Sequence, residues 1–265
     1  MAELVVTEVK EHVAHVKLNR PEKYNALSPQ MFEAVVDAGR RVASDTAIRA
    51  VVLSGEGPGF CAGLDFESFM ELGSGDMSTA FARAEGSIAN FAQLPAYIWK
   101  QAPVPVIAAL HGAAYGGGLQ LALGTDIRLA SPTARFSVRE IQWGLVPDMS
   151  GTQTLRDLLR LDVAKELVFT GRVVAAEEAA QIGLITRVCE DPLAEAEVLA
   201  GEIAAKSPHT IAADKRLLEE SWHGPPEAGL TLESSLQQTL IGTPNQLEAV
   251  RANFEKRPAS FANRD

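Results

Sequence analysis

Two carboxylates, Glu140 and Asp148, stand eight residues apart in the largely apolar stretch RFSVREIQWGLVPDMSG. Glu140 is flanked by Val138, Ile141 and Trp143. A carboxyl buried among such residues keeps its proton to higher pH and can move protons near neutrality. Asp148 follows Pro147 and reads equally well as a turn residue or as a second proton carrier.

The other chemistry-bearing stretch lies upstream. A β-type apolar run over residues 104–110 enters His111-Gly112-Ala113-Ala114-Tyr115-Gly116-Gly117-Gly118, then the helix-periodic segment 119–123. Glycines at a helix start let a ligand approach the backbone closely. They also leave unpaired N–H groups, backed by the positive end of the helix dipole. Such a place suits a ligand that carries or develops negative charge.

A similar arrangement occurs once before. The short buried strand at 50–53 runs into Gly55-Glu56-Gly57-Pro58-Gly59 and on to Phe60-Cys61-Ala62-Gly63-Leu64-Asp65-Phe66. Neighbouring parallel strands bring their C-terminal loops together. One N–H from each loop could then hold a single oxygen, an oxyanion hole typically worth ~2.7–4 kcal/mol per donor in a transition state.

Other site types fit poorly. GEGPGF carries Phe60 where a dinucleotide fingerprint needs glycine, and no phosphate-loop, GxSxG or HExxH pattern occurs. His12 and His15 are expected on the exposed side of a strand, and His111 as a structural hydrogen-bonder. Cys61 reads as a small buried filler. With only Cys61 and Cys189, neither a disulfide framework nor a metal site is expected.

The positioning elements follow from pattern. Residues 4–18 alternate as a strand or hairpin. Ser28-Pro29 opens a helix with Met31, Phe32, Val35, Val36 and Val42 on its core face. Residues 73–79 read as a mobile surface loop, and 79–100 as a long helix ended by Pro103 and Pro105. Strands are expected at 126–130, 136–138 and 183–189, and short helices at 151–161, 162–170 and 175–181. From Pro192 the pattern is helical to Phe254. Strands with interleaved helices, then an all-helical tail, predict an α/β core with a C-terminal helical piece.

The chain has 265 residues, a formal charge of −10 and a pI near 5.1, which argues against nucleic acid as a partner. No apolar run approaches the roughly 20 residues of a membrane span, and the start MAELVVTEVK lacks the pattern of a secretory leader. A cytoplasmic protein is expected.

Taken in order, Asn19-Arg20-Pro21…Asn25-Ala26-Leu27, Phe60 to Asp65, His111 to Gly118, Gly144-Leu145-Val146-Pro147 and Glu255-Lys256-Arg257-Pro258…Phe261 form a specific set. The set resembles the crotonase (enoyl-CoA hydratase/isomerase) superfamily over almost the whole chain. The resemblance implies a spiral of ββα units carrying the CoA site (residues 1–191) and a C-terminal helical trimerisation region (192–265). It implies a homotrimer or a dimer of trimers, an acyl-CoA thioester as substrate, and no separate cofactor, CoA being part of the substrate. By position, the N–H groups of Leu64 and Gly117 would form the oxyanion hole. Lys23, Tyr24 and Ala26, with Ala62, Asp65 and Phe66, would line the CoA path. Lys256 and Phe261 would serve a neighbouring subunit's CoA site.

One departure matters. Hydratases of the family use two glutamates, the first placed two residues after the triple glycine. Gln120 stands there, and an amide neither takes nor gives a proton near neutrality. It could orient a water or an acyl group. Enoyl-CoA isomerases of the family work with one glutamate at the Glu140 position, and dienoyl-CoA isomerases add an aspartate at the Asp148 position. The related 4-chlorobenzoyl-CoA dehalogenase also has an aspartate there, with Trp and His helpers, but His111 does not match the helper's place. The expectation is therefore an enoyl- or dienoyl-CoA isomerase using Glu140 and possibly Asp148. The alternatives are an enoyl-CoA hydratase and a non-catalytic acyl-CoA binder.

Overall fold

The computed structural model of the chain describes residues 3–71, 81–83 and 87–265. Strands β1 (Val5–Lys10) and β2 (Val13–Leu18) form an antiparallel hairpin. Its two turn residues, Glu11 and His12, both have positive φ, as the tightest hairpin turns require. Helix α1 (Pro29–Ser44) starts as expected: the Ser28 hydroxyl accepts the Met31 N–H at 3.2 Å, and Pro29 needs no partner. All five expected core residues of α1 are buried.

β2 continues in parallel to β3 (Ala50–Gly55), β4 (Val106–Leu110), β6 (Ile127–Ala130) and β9 (Arg187–Val188), giving the order β1-β2-β3-β4-β6-β9. A smaller sheet joins β5 (Ala113–Tyr115), β7 (Arg135–Ser137) and β8 (Val174–Ala175). The two sheets are linked by a repeated step. A long strand of the main sheet is followed by a short piece of the second layer, then by a helical turn. β3 leads to the bridging residues Cys61 and Leu64 and then to α2 (Phe66–Glu71); β4 leads to β5, and β6 to β7. This is the ββα spiral.

Both faces of the main sheet are covered. Val51, Leu53, Val106, Ala108 and Leu110 lie in one apolar cluster with α1 and with Trp99 of α3 (Leu94–Gln101). Val13, Ala50, Val52, Ile107 and Leu129 lie in the other, against Ala196, Ala200 and Ala204 of a helix spanning Pro192–Ala204. A stripe of alanines lets that helix approach the strands closely. This is why the central strands read as unbroken apolar runs.

Several expected elements differ. His12 lies in the hairpin turn, with Nδ1 2.9 Å from the Ala47 carbonyl, and His15 faces Glu197 on the helix that covers the sheet. Residues 183–189 hold only the two-residue β9, because Leu184 and Ile185 bury themselves in the core instead of pairing. Of the long helix expected at 79–100, the described residues form α3 only from Leu94, and a turn over 91–93 leads into it. There Asn90 and Gln93 cap reciprocally: each side chain accepts the other's N–H, at 2.9 and 3.0 Å. Arg83 and Asn90 pair as an isolated antiparallel bridge. The loop expected at 73–79 lies outside the described residues.

Past β5 come α4 (Gly117–Leu123), α5 (Gly151–Leu158), α6 (Leu161–Thr170), α7 (Ala176–Ile182) and the sheet-covering α8 (Pro192–Ala204). Helices α9 (Pro208–Ser221), α10 (Pro226–Leu240) and α11 (Pro244–Glu255) complete the chain, each opening with proline at its first position. α9 is pinned to the core by buried Lys215, whose Nζ donates to the carbonyls of Trp99 and Val104 at 2.9 and 3.1 Å and to Asp126 at 2.8 Å. Among the described residues, no helix is long and apolar enough to cross a membrane.

Candidate active site

Three successive turns of the spiral deliver one group each to the same place. Leu64 precedes α2, Gly117 opens α4, and Glu140 opens the 3₁₀ turn Glu140–Trp143 after β7. All three line a cavity of about 340 Å³, together with Gly116, Gln120, Asp148 and Met149.

The two glycine loops are joined backbone to backbone. Cys61 N donates to the Ala113 carbonyl at 2.9 Å, and Tyr115 N to the Cys61 carbonyl at 3.0 Å. Approach this close demands glycine: a Cβ on Gly63 would stand 2.7 Å from the Tyr115 carbonyl oxygen, and its φ of +99° is unfavourable for other residues. Gly116 turns the chain at φ +51°, setting the α4 N-terminus beside the Glu140 carboxylate. The same Gly63 Cβ would lie 3.6 Å from Gly117 N, so the two loops meet at their N–H groups. Neither Leu64 N nor Gly117 N has a hydrogen-bond acceptor among the described residues.

Buried Asn25 locks the first loop by donating to the carbonyls of Glu56, Gly59 and Phe60. His111 Nε2 lies 2.8 Å from the Gly57 carbonyl, the structural role expected of it. Cys61 is fully buried and its thiol is pushed up to about 12 by desolvation, in keeping with a filler.

Gln120 is the hub. Its Oε1 accepts from the N–H groups of Met149 and Gly151 at 2.8 and 2.9 Å. Two donors on that atom fix the amide's orientation, since the NH₂ end could not accept them. Nε2 therefore faces Glu140 and donates to its Oε1 at 2.6 Å. The side chain anticipated as an orienter of water or acyl group lines the cavity and also ties the Asp148 loop to Glu140. Glu140 Oε2 is buried and has no hydrogen-bond partner among the described residues. Burial raises the Glu140 carboxyl above its usual range, the Asp148 charge adds to this, and hydrogen bonds from the backbone and Gln120 only partly offset it. Of the apolar sequence neighbours Val138 is buried in the core, but Ile141 and Trp143 are exposed and do not supply the burial. It comes from the Gly116 turn and the Gln120 hub.

Asp148 opens to solvent, yet crowding by the surrounding protein also raises its carboxyl. It borders two cavities, the 340 Å³ one and a second of about 280 Å³ lined by Arg83, Gln93, Ser150 and Thr152.

Of the other sequence candidates, Ala62 and Phe66 line the cavity. Lys23, Tyr24, Ala26 and Asp65 do not, although the Tyr24 carbonyl accepts from Ala62 N at 2.9 Å, which puts that loop alongside. Lys23 pairs with Glu67 at the surface. Asp65 caps α2 through Ser68 and pairs with Arg20 at 2.6 Å. Burial would raise the Asp65 carboxyl, but Ser68 and Arg20 outweigh it and hold the group low. Lys256, the left-handed C-cap of α11, and Phe261 lie away from the cavity; the Phe261 carbonyl accepts from Arg49 at 2.8 Å. Sequence reasoning missed Phe32, Phe81, Phe91, Tyr115 and Arg139 as cavity residues, since single aromatics in mixed segments look like ordinary core.

Comparison with known proteins agrees with this geometry. The family description enoyl-CoA hydratase/isomerase matches residues 8–264. The chain belongs to that family. (E)-benzylidenesuccinyl-CoA hydratase of Thauera aromatica is 34% identical over 261 residues, 97% of this chain and 98% of the relative. The mitochondrial Delta(3,5)-Delta(2,4)-dienoyl-CoA isomerase of Mus musculus is 33% identical over 259 residues, 95% of this chain and 79% of the relative. A crystal structure of enoyl-CoA hydratase from Bacillus anthracis superposes with a TM-score of 0.90 at 29% identity, covering 97% of this chain and 98% of that one. The fold is thus that of the enoyl-CoA hydratase/isomerase family. Hydratases and isomerases stand at nearly equal identity, so the family membership alone leaves the reaction to be argued from the site.

Proposed function

We propose that this family member shifts a double bond along an enoyl- or dienoyl-CoA. The N–H groups of Leu64 and Gly117 hold the thioester oxygen and favour its enolate, at ~2.7–4 kcal/mol per donor. The carbon beside the thioester, or the conjugated γ carbon, is thereby acidified. Glu140 takes the proton as the C–H electron pair moves into the enolate. Glu140 or Asp148 then returns a proton to another carbon of the delocalised system, and the thioester carbonyl re-forms.

The observation that carries this reading is the fixed orientation of Gln120. Its oxygen is held by two N–H groups and its NH₂ faces Glu140, so position 120 cannot carry a proton in either direction. Hydration by two carboxylates would need a second acid/base group elsewhere. Asp148 borders the same cavity with a raised carboxyl, and this favours hydratase as the second reading.

The test gives the protein 2-enoyl-, 3-enoyl- and 3,5-dienoyl-CoA separately in ¹⁸O-labelled water. A moved double bond without label is the expected result. Label in a 3-hydroxyacyl-CoA would establish hydration instead, and tight binding without turnover would establish a binder. The apolar side chains exposed on α9–α11, Trp222, Leu230, Ile241 and Phe254 among them, support a homotrimer or dimer of trimers. The mass of the assembly in solution tests that.

A further inference from the structure

Aromatic residues make up 6% of the chain, yet six of them line this one cavity: Phe32, Phe66, Phe81, Phe91, Tyr115 and Trp143. Four of the rings pair with one another. Phe66 and Trp143 meet with centroids 4.3 Å apart and planes tilted by 35°, and Phe32 stacks on Phe91 at 5.5 Å and 17°. The Arg139 guanidinium covers the Tyr115 ring, 4.9 Å from its centroid. These contacts give the cavity stiff, flat walls, where leucine or methionine would give rounded and adaptable ones.

Position matters as much as composition. Phe66 follows the Leu64 donor by two residues, and Trp143 closes the same 3₁₀ turn that Glu140 opens. The stacked Phe66–Trp143 pair is therefore carried by the two elements that hold the reacting end of the substrate. Trp143 is 61% exposed and Phe81 53% exposed, so two large rings stand at the rim with surface to cover. At about 340 Å³ the cavity is near the lower end of the roughly 300–1,000 Å³ typical of small-molecule sites, suited to a compact group.

We infer that the cavity selects a CoA thioester whose short acyl chain ends in an aromatic ring, seated against Phe66 and Trp143 a few carbons from the thioester. The inference rests on the cavity being the acyl site proposed above. It does not depend on which reaction follows.

The test measures binding of saturated thioesters, which cannot be isomerised or hydrated. Titration calorimetry compares 4-phenylbutanoyl-CoA with decanoyl-CoA, two acyl groups of equal carbon number. Aromatic pairs add ~0.5–1.5 kcal/mol beyond area burial, so two ring contacts give an expected aryl preference of ~10-fold in Kd. Trp143→Leu and Phe66→Leu should each lower that ratio by about threefold, and the double variant should bring it to about one. Trp143 is largely exposed, so its replacement leaves the core intact. Equal or tighter binding of decanoyl-CoA by the unaltered protein overturns the inference, as does a ratio that neither substitution moves. An aryl preference without double-bond movement in the matching unsaturated esters keeps this inference and removes the isomerase reading. Movement without preference does the reverse, and no binding of either ester removes both.

Discussion

Lys215 and Glu140 are both buried charged side chains, and they are finished differently. Lys215 has a partner for each of its three donors: the carbonyls of Trp99 and Val104 and the Asp126 carboxylate. Glu140 has one oxygen held by Gln120 and the other buried with none among the described residues. An unpaired buried oxygen costs stability, and the one on Glu140 lines the cavity, unlike the unpaired Trp99 and Arg49 nitrogens elsewhere in the fold. The contrast separates a charge that fastens α9 to the core from one that the proposed function uses as its proton acceptor.

The largest expected effect separates them directly. Glu140→Gln should lower turnover by about 10²–10⁴, the usual contribution of a positioned acid/base group, while the fold persists because the new amide oxygen can still accept from Gln120. Stability should respond in the opposite sense. The folded chain holds the Glu140 proton more tightly than the unfolded chain does. The group's contribution is therefore fully present below the ordinary carboxylate pKa and is lost as pH rises through the raised one. The variant's advantage in thermal midpoint should accordingly be greater at pH 8 than at pH 4. A variant that retains full turnover would end the assignment.

Next in size, Lys215→Met should cost about 3 kcal/mol of unfolding free energy by leaving Asp126 without its cation, as read by urea denaturation. The pH–rate profile of the folded variant should match that of the original protein. A shifted profile would mean that the two centres are not separate.

Smaller again, Asp148→Asn should slow the 3,5-dienoyl substrate by roughly 10²-fold and the 3-enoyl substrate by much less, if Asp148 returns the proton on the longer conjugated system. Equal losses on both would assign it a shared role. Least in rate but most specific, Gln120→Glu places a second carboxylate where the amide now donates to Glu140. Two such groups cannot both ionise readily and titrate as a pair. The acid limb of the rate profile should split or move upward, and a limb that stays in place would show that position 120 does not control the Glu140 proton.

How much of this could be read from sequence differs by element. α1 was legible because its signals are local: Ser28 and Pro29 start it, and five apolar residues recur on one face. Both glycine loops were legible because glycine marks close backbone approach. The threefold ββα step was legible only through the family resemblance, since second-layer strands of two or three residues are too short to show alternation. The lock on Gln120 was hidden for another reason: its donors come from 29 and 31 residues further on. Glu140 was singled out with its burial credited to Val138, Ile141 and Trp143; Val138 is buried, whereas Ile141 and Trp143 are exposed. The aromatic cavity was invisible because its six rings are scattered from Phe32 to Trp143.

Asp148 borders two cavities, and under the proposed function a proton carried by it has two exits. One leads back to carbon, the other toward the polar rim around Arg83, Gln93 and Thr152. The ratio of those two rates sets how much of a substrate's own hydrogen survives the reaction. In heavy water, the deuterium content of the first-formed product becomes a clock: little label means the proton crosses faster than it escapes, and full label means that it waits on Asp148 long enough to be exchanged.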